Sequence, residues 1–146
     1  MIKRLASIVV AACVTVVALA EDLSTKLQDI SLTVHSGGAQ GSGVLITRGK
    51  ENYVLTAGHV VENMRYTLTV LDDGKPKIVV KFKPISVVKE IYADNQSVGK
   101  TSIEGDVIAY SSADFGDDLA LVKLRSKISD SSVEFFKDPN PPGMGT

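Results

Sequence analysis

Eight short runs of β-branched and apolar residues, each closed by turn formers, restrict this chain to a strand-built fold. The runs are Ile30 to His35, Gly43 to Thr47, Tyr53 to Thr56, Tyr66 to Leu71, Ile78 to Lys83, Ile85 to Tyr92, Val107 to Ser111 and Leu119 to Leu124. Between them lie Ser36-Gly37-Gly38, Arg48-Gly49-Lys50, Asp72-Asp73-Gly74, Asp94-Asn95 and Phe115-Gly116-Asp117, residues that tolerate the tight or left-handed backbone of hairpins and short loops. Strands this short and this closely spaced, with little 3.6-residue periodicity, predict an all-β, antiparallel barrel or sandwich. Two helical spots are expected, Asp22 to Asp29 and a single turn from Gly58 to Asn63. There is no internal repeat and no low-complexity tract.

The N-terminus carries a compartment signal. Lys3 and Arg4 precede an apolar run from Leu5 to Ala20, broken by Ser7 and Thr15, and Ala18-Leu19-Ala20 is an A-x-A cleavage pattern ahead of Glu21 and Asp22. Residues 1–20 therefore read as a secretory signal peptide. The apolar run falls short of the roughly 20 residues that a spanning helix needs, so no stable membrane span is expected after cleavage. A lipoprotein signal ending at Cys13 is the further alternative, set against the very short apolar stretch ahead of it. Export to a bacterial periplasm or the extracellular space is the expectation.

Cleavage at this site removes the only cysteine, Cys13, and takes the formal charge from -1 to about -3. No disulfide framework is then possible. An exported domain without disulfides suits a bacterial envelope better than a cysteine-stapled extracellular enzyme. The acidity argues against a nucleic-acid partner, which calls for a concentrated basic face. The lysine-rich stretch from Lys75 to Lys89 alternates with Val, Ile and Phe and reads as strand with a solvated face. Two histidines and scattered aspartates give no ligand spacing for zinc or for a calcium loop, so no metal and no cofactor are expected.

Chemistry concentrates in three places. Tyr53-Val54-Leu55-Thr56 is an apolar strand that ends in the small residues Ala57 and Gly58, which let the backbone turn and present His59 at the strand's end. Asp118 stands at the entrance of the strand Leu119 to Leu124. In Gly41-Ser42-Gly43-Val44 the glycines would let the backbone pack close to the site, the alternative being an ordinary tight turn. The serines compete poorly as nucleophiles: Ser42 lacks the G-x-S-x-G elbow, and Ser111, Ser112, Ser131 and Ser132 have no flanking glycines to furnish oxyanion-hole amides, so each reads as a solvated loop residue. His35, inside an alternating strand, reads as structural.

Thr56-Ala57-Gly58-His59-Val60-Val61 and Asp118-Leu119-Ala120-Leu121-Val122, in that order behind the Gly-Ser-Gly segment, resemble the histidine and aspartate segments of a trypsin-like, chymotrypsin-fold serine protease. The resemblance covers Ile30 to Leu124. It implies an antiparallel Greek-key barrel, the first of that fold's two, with His59 as general base, Asp118 as its orienting partner, and a protein or peptide as substrate. Asp117 is the less fitting partner, because the family's aspartate directly precedes a Leu-Ala or Ile-Ala pair. Lack of disulfides makes the resemblance strongest to the bacterial HtrA/Deg and glutamyl-endopeptidase branches. No Gly-Asp-Ser-Gly-Gly or Gly-Asn-Ser-Gly-Gly occurs in the 146 residues, so the resemblance implies that serine, oxyanion hole and specificity pocket belong to a missing second barrel.

The domain expectation is accordingly a leader at 1–20, the barrel at 21–136, and the start of an interbarrel linker at 137–146, rich in proline and cut in mid-course. A lone barrel would expose the face meant for its neighbour and so favour association into an oligomer. The segment from Tyr66 to Phe115 matches no motif and reads as lengthened hairpins. The reading from a different class is an inactive single-barrel binding or inhibitory module, although such a module has no need of both His59 and Asp118.

Overall fold

The computed structural model describes residues 23–129 and Val133; the expected leader, Cys13 and the 137–146 linker lie outside the described residues. A short helix, α1, covers 23–30. The strands follow as β1 (Ser31–Ser36), β2 (Ala39–Arg48) and β3 (Glu51–Ala57), then a one-turn helix α2 (Gly58–Val61) that runs on into a 3-10 turn at Glu62–Met64. Next come β4 (Arg65–Asp72), β5 (Lys75–Phe82), β6 (Ile85–Ala93), β7 (Gln96–Ser111) and β8 (Leu119–Leu124).

Six of these strands close into one antiparallel barrel in the order β1-β2-β3-β8-β7-β6, sealed by β6 against β1. Three hairpin-connected strands followed by one that returns beside the first make a Greek key, as expected. The turns that join them are the ones the sequence marks. Gly37 and Gly38 sit at φ of 53° and 97°, and Asp94 and Asn95 at 51° and 59°, the left-handed pair that a two-residue hairpin matched to the strand twist requires.

The core follows from alternation. Leu32 and Val34 on β1, Leu45 on β2, Val54 on β3, Ile85 and Val87 on β6, and Ala120, Val122 and Leu124 on β8 all point into the barrel, as a period of two demands of a closed sheet. Helix α2 plugs one end with Val60 and Val61. Gly41 permits this, because a Cβ there would come within 2.4 Å of Val60 Cγ2. The buried Ser36 hydroxyl donates to the Val60 carbonyl and ties the plug to β1.

Three details refine the sequence reading. All eight strands form, but β4 and β5 leave the barrel as a separate two-stranded ribbon. Neither strand has a buried residue to hold it inside. The seventh strand runs from Gln96, far ahead of the expected Val107; its first half is polar and glycine-containing, and is ordered by its ladder to β6 rather than by an apolar pattern of its own. Gly41 to Gly43 lie within β2 and pair with Val34, Thr33 and Leu32, which rules out the tight-turn alternative there; the hairpin turn is at Gly37-Gly38, as expected.

At the other end of the barrel the fully buried Asn52 pins the outgoing chain. Its amide donates to Thr47 Oγ1 at 2.8 Å and to the Ser129 carbonyl at 3.1 Å, and its oxygen accepts from the Ile128 and Ser129 N–H groups at 2.7 and 3.2 Å. Replacing Asn52 by Ala removes these four part-buried bonds, at about 1–3 kcal/mol in all. Urea denaturation of Asn52→Ala should show a loss of that size with an unchanged m-value.

Candidate active site

The strand β3 pairs with β8 up to Ala57 opposite Leu119, and this register brings the end of one strand beside the start of the other. There β3 gives way to α2. Gly58, Val60 and Val61 are buried, so the single helical turn has one outward position, and it is His59. The imidazole stands at the barrel mouth with 64% of its side chain exposed.

Asp118 reaches it from the other side. Its Oδ2 lies 2.8 Å from His59 Nδ1, its Oδ1 accepts the His59 backbone N–H at 2.8 Å, and its carbonyl accepts the Gly58 N–H at 3.0 Å. One residue thus holds the ring and satisfies two N–H groups in the first turn of α2, where a helix leaves donors without internal partners. To do so Asp118 adopts φ of 51°, a left-handed conformation that costs Asp less than most side chains. The His59 ring, and then the His59 N–H, hold its carboxyl below the usual carboxylate range.

The segment before Asp118 is fastened to the end of β7. Asp117 N–H donates to Ser111 Oγ at 2.8 Å and Asp114 N–H to Ser112 Oγ at 3.1 Å. The Ser111 carbonyl lies so near Gly58 that a Cβ at that position would meet it at 2.4 Å. Gly58 is therefore required by the close approach of β7. Nearby, Thr56 Oγ1 donates to the Ser42 carbonyl at 2.7 Å and locks β3 to β2 just below the site.

The structure brings together His59 and Asp118, the two residues singled out from the sequence. Asp117 offers its backbone to Ser111 rather than its carboxylate to His59. Ser111, read from the sequence as a solvated loop serine, instead closes β7 and anchors the turn that carries Asp118; its position seven residues ahead of the aspartate gives no local signal of this. Ser42 lies within β2, and His35 is exposed on β1. Among the described residues no group of three or more His, Cys, Asp or Glu could hold a metal ion, and no helix is long and apolar enough to cross a membrane.

Chemically, a carboxylate on Nδ1 favours the tautomer with its proton there and leaves the Nε2 lone pair facing outward. That is the arrangement of a general base with its orienting group in place. A family comparison matches residues 24–145 to the trypsin model. No curated protein and no solved structure matches the chain.

A folded-state carboxyl held below its ordinary value stabilises the fold above the unfolded pKa, about 3.9 for Asp, and that contribution is lost as pH falls through the lower folded value. The stability difference between the wild type and Asp118→Asn should therefore narrow as the pH is lowered from 5 to 2, measured by thermal unfolding at stepped pH.

Proposed function

The chain belongs to the trypsin family, matched over residues 24–145, and from that premise we propose that it is the histidine–aspartate barrel of an exported serine endopeptidase of the disulfide-free bacterial kind. Membership implies peptide substrates. The reaction is acyl transfer from a peptide bond to water. The observation that carries this reading is the 2.8 Å contact between His59 Nδ1 and Asp118 Oδ2 at the open mouth of the barrel.

In this mechanism Nε2 of His59 takes the proton of a serine hydroxyl as that oxygen attacks the scissile carbonyl. Asp118 stabilises the imidazolium that forms, and His59 then returns the proton to the leaving amine. A water deprotonated by the same Nε2 releases the acyl group. The nucleophile and the oxyanion donors are assigned to the family's second barrel, which closes over the exposed side of the His59–Asp118 pair and removes it from bulk water. Water exclusion strengthens both the pair and the developing charges.

The exposed β4–β5 ribbon favours a second reading, a single-barrel binding or inhibitory module. Hydrolysis separates the two. In the exported protein as its cells make it, kcat/KM on a casein-derived fluorogenic peptide should fall about 10⁴-fold or more on His59→Ala and about 10⁴-fold on Asp118→Asn, the scale of triad lesions. Absence of hydrolysis in the wild type, or hydrolysis unchanged in His59→Ala, would leave the module.

A further inference from the structure

The β4–β5 ribbon stands clear of the barrel, with Leu71 and Ile78 exposed at 77% and 72%. Two strands alone are marginal in water, and its root is what holds it: Phe82 packs on Tyr110 of β7 with ring centroids 5.1 Å apart, and Arg65 lies 6.0 Å over the same ring. β6 pairs with β7 only as far as Ile85 opposite Gly105. Beyond that point β5 has splayed away, so that residues 106–111 of β7 have β8 on one side and no strand on the other among the described residues. Between β5 and β7 runs a groove of about 290 Å³ lined by Val80, Lys81, Phe82, Ile108, Ala109 and Tyr110.

The phase of the ribbon ladder fixes what β5 offers to that groove. Lys83 N–H donates to the Met64 carbonyl at 2.9 Å. Tyr66–Lys81, Leu68–Val79 and Val70–Lys77 are then the pairs that bond across the ribbon, since such pairs alternate along an antiparallel ladder. Ile78 and Val80 accordingly turn their N–H and C=O groups outward, along an edge no strand occupies among the described residues.

Charge specifies the partner. Residues 65–83 carry Arg65, Lys75, Lys77, Lys81 and Lys83 against Asp72 and Asp73, on a chain whose formal charge is -1. A second copy would bring an equally basic ribbon, and like charges oppose that pairing. A membrane would first meet a nearly neutral tip, where Asp72 and Asp73 stand beside Lys75 and Asp72 is bonded by Lys77 at 3.0 Å. An acidic polypeptide meets neither obstacle.

We propose that the free edge of β5, with the groove beside β7, docks an extended acidic and apolar polypeptide segment by strand addition. Main-chain bonds to Ile78 and Val80 give affinity, and side-chain pockets give sequence preference. Lys77, which also bonds Asp72 at 3.0 Å, and Lys81 share one face of β5, two positions either side of Val79, so a strand laid alongside places acidic residues four apart against them. Of the three apolar residues between, the outer two share the face of Ile78 and Val80 and the middle one lies over Val79. The segment class is acidic–apolar–apolar–apolar–acidic. This site stands independently of His59 and Asp118 and of the protease reading.

The test is fluorescence anisotropy of the whole chain with the labelled peptide Ser-Glu-Val-Ile-Val-Glu-Ser, and with the same peptide carrying Lys for both Glu. Saturable binding of the acidic peptide is expected, at least tenfold weaker for the lysine peptide. Val80→Pro, which removes an outward donor from an edge strand where proline is tolerated, should weaken it at least tenfold, and Lys81→Glu should weaken it comparably. Circular dichroism checks the fold of Val80→Pro; if that variant does not fold, Lys81→Glu and the peptide comparison carry the result. Equal binding of both peptides, no binding to the wild type, a dimer by sedimentation that Lys81→Glu abolishes, or binding to anionic phosphatidylglycerol vesicles without binding to the peptide would each overturn the proposal.

Discussion

Asp118 grips the first turn of α2 through its carbonyl and both of its carboxylate oxygens, on the Gly58 N–H, the His59 N–H and the His59 ring. Much of the molecule serves that contact. The β3–β8 register carries the two segments to the same end of the barrel, and Val60 and Val61 fix the helix by burying it as the barrel's plug. Ser111 holds the Asp117 N–H immediately before Asp118, which sits in a left-handed conformation. The positive φ is a local cost, met by hydrogen bonds that no extended residue at that position could make.

The same burial pattern decides which way the histidine points. In a single helical turn with three buried members, the fourth has only solvent to face. His59 is thus exposed because its neighbours are core residues, and the site is built into the barrel's packing rather than attached to a loose loop. An imidazole presented in this way has one ring nitrogen committed to a carboxylate and the other available, which is what proton transfer at a reacting centre needs.

The strand content, the hairpin turns and the His59–Asp118 pair were legible in the sequence because each has a local signature: alternation, glycine or Asx pairs, and a small-residue strand end. What was not legible depends on partners distant in the chain. The first half of β7 has no apolar period of its own and is a strand because β6 lies beside it. The separation of β4 and β5 from the barrel turns on the absence of any buried side chain, although Tyr66 to Leu71 alternates as well as any barrel strand. Asn52 and Ser111 look like ordinary polar residues until Ile128, Ser129 and Asp117 are seen against them. In the Gly41-Ser42-Gly43 segment the glycines signalled close packing near the site, and Gly41 makes room for Val60; that the segment is strand rather than turn depends on its pairing with β1.

The most direct test of the account is nitrogen-15 NMR of the His59 imidazole in the folded chain at neutral pH, compared with Asp118→Ala. The account requires that in the neutral ring the proton sits on Nδ1 rather than Nε2, a tautomer preference that is lost in the variant. A wild-type ring protonated at Nε2 with a bare Nδ1, or a signal indifferent to the loss of Asp118, would contradict it.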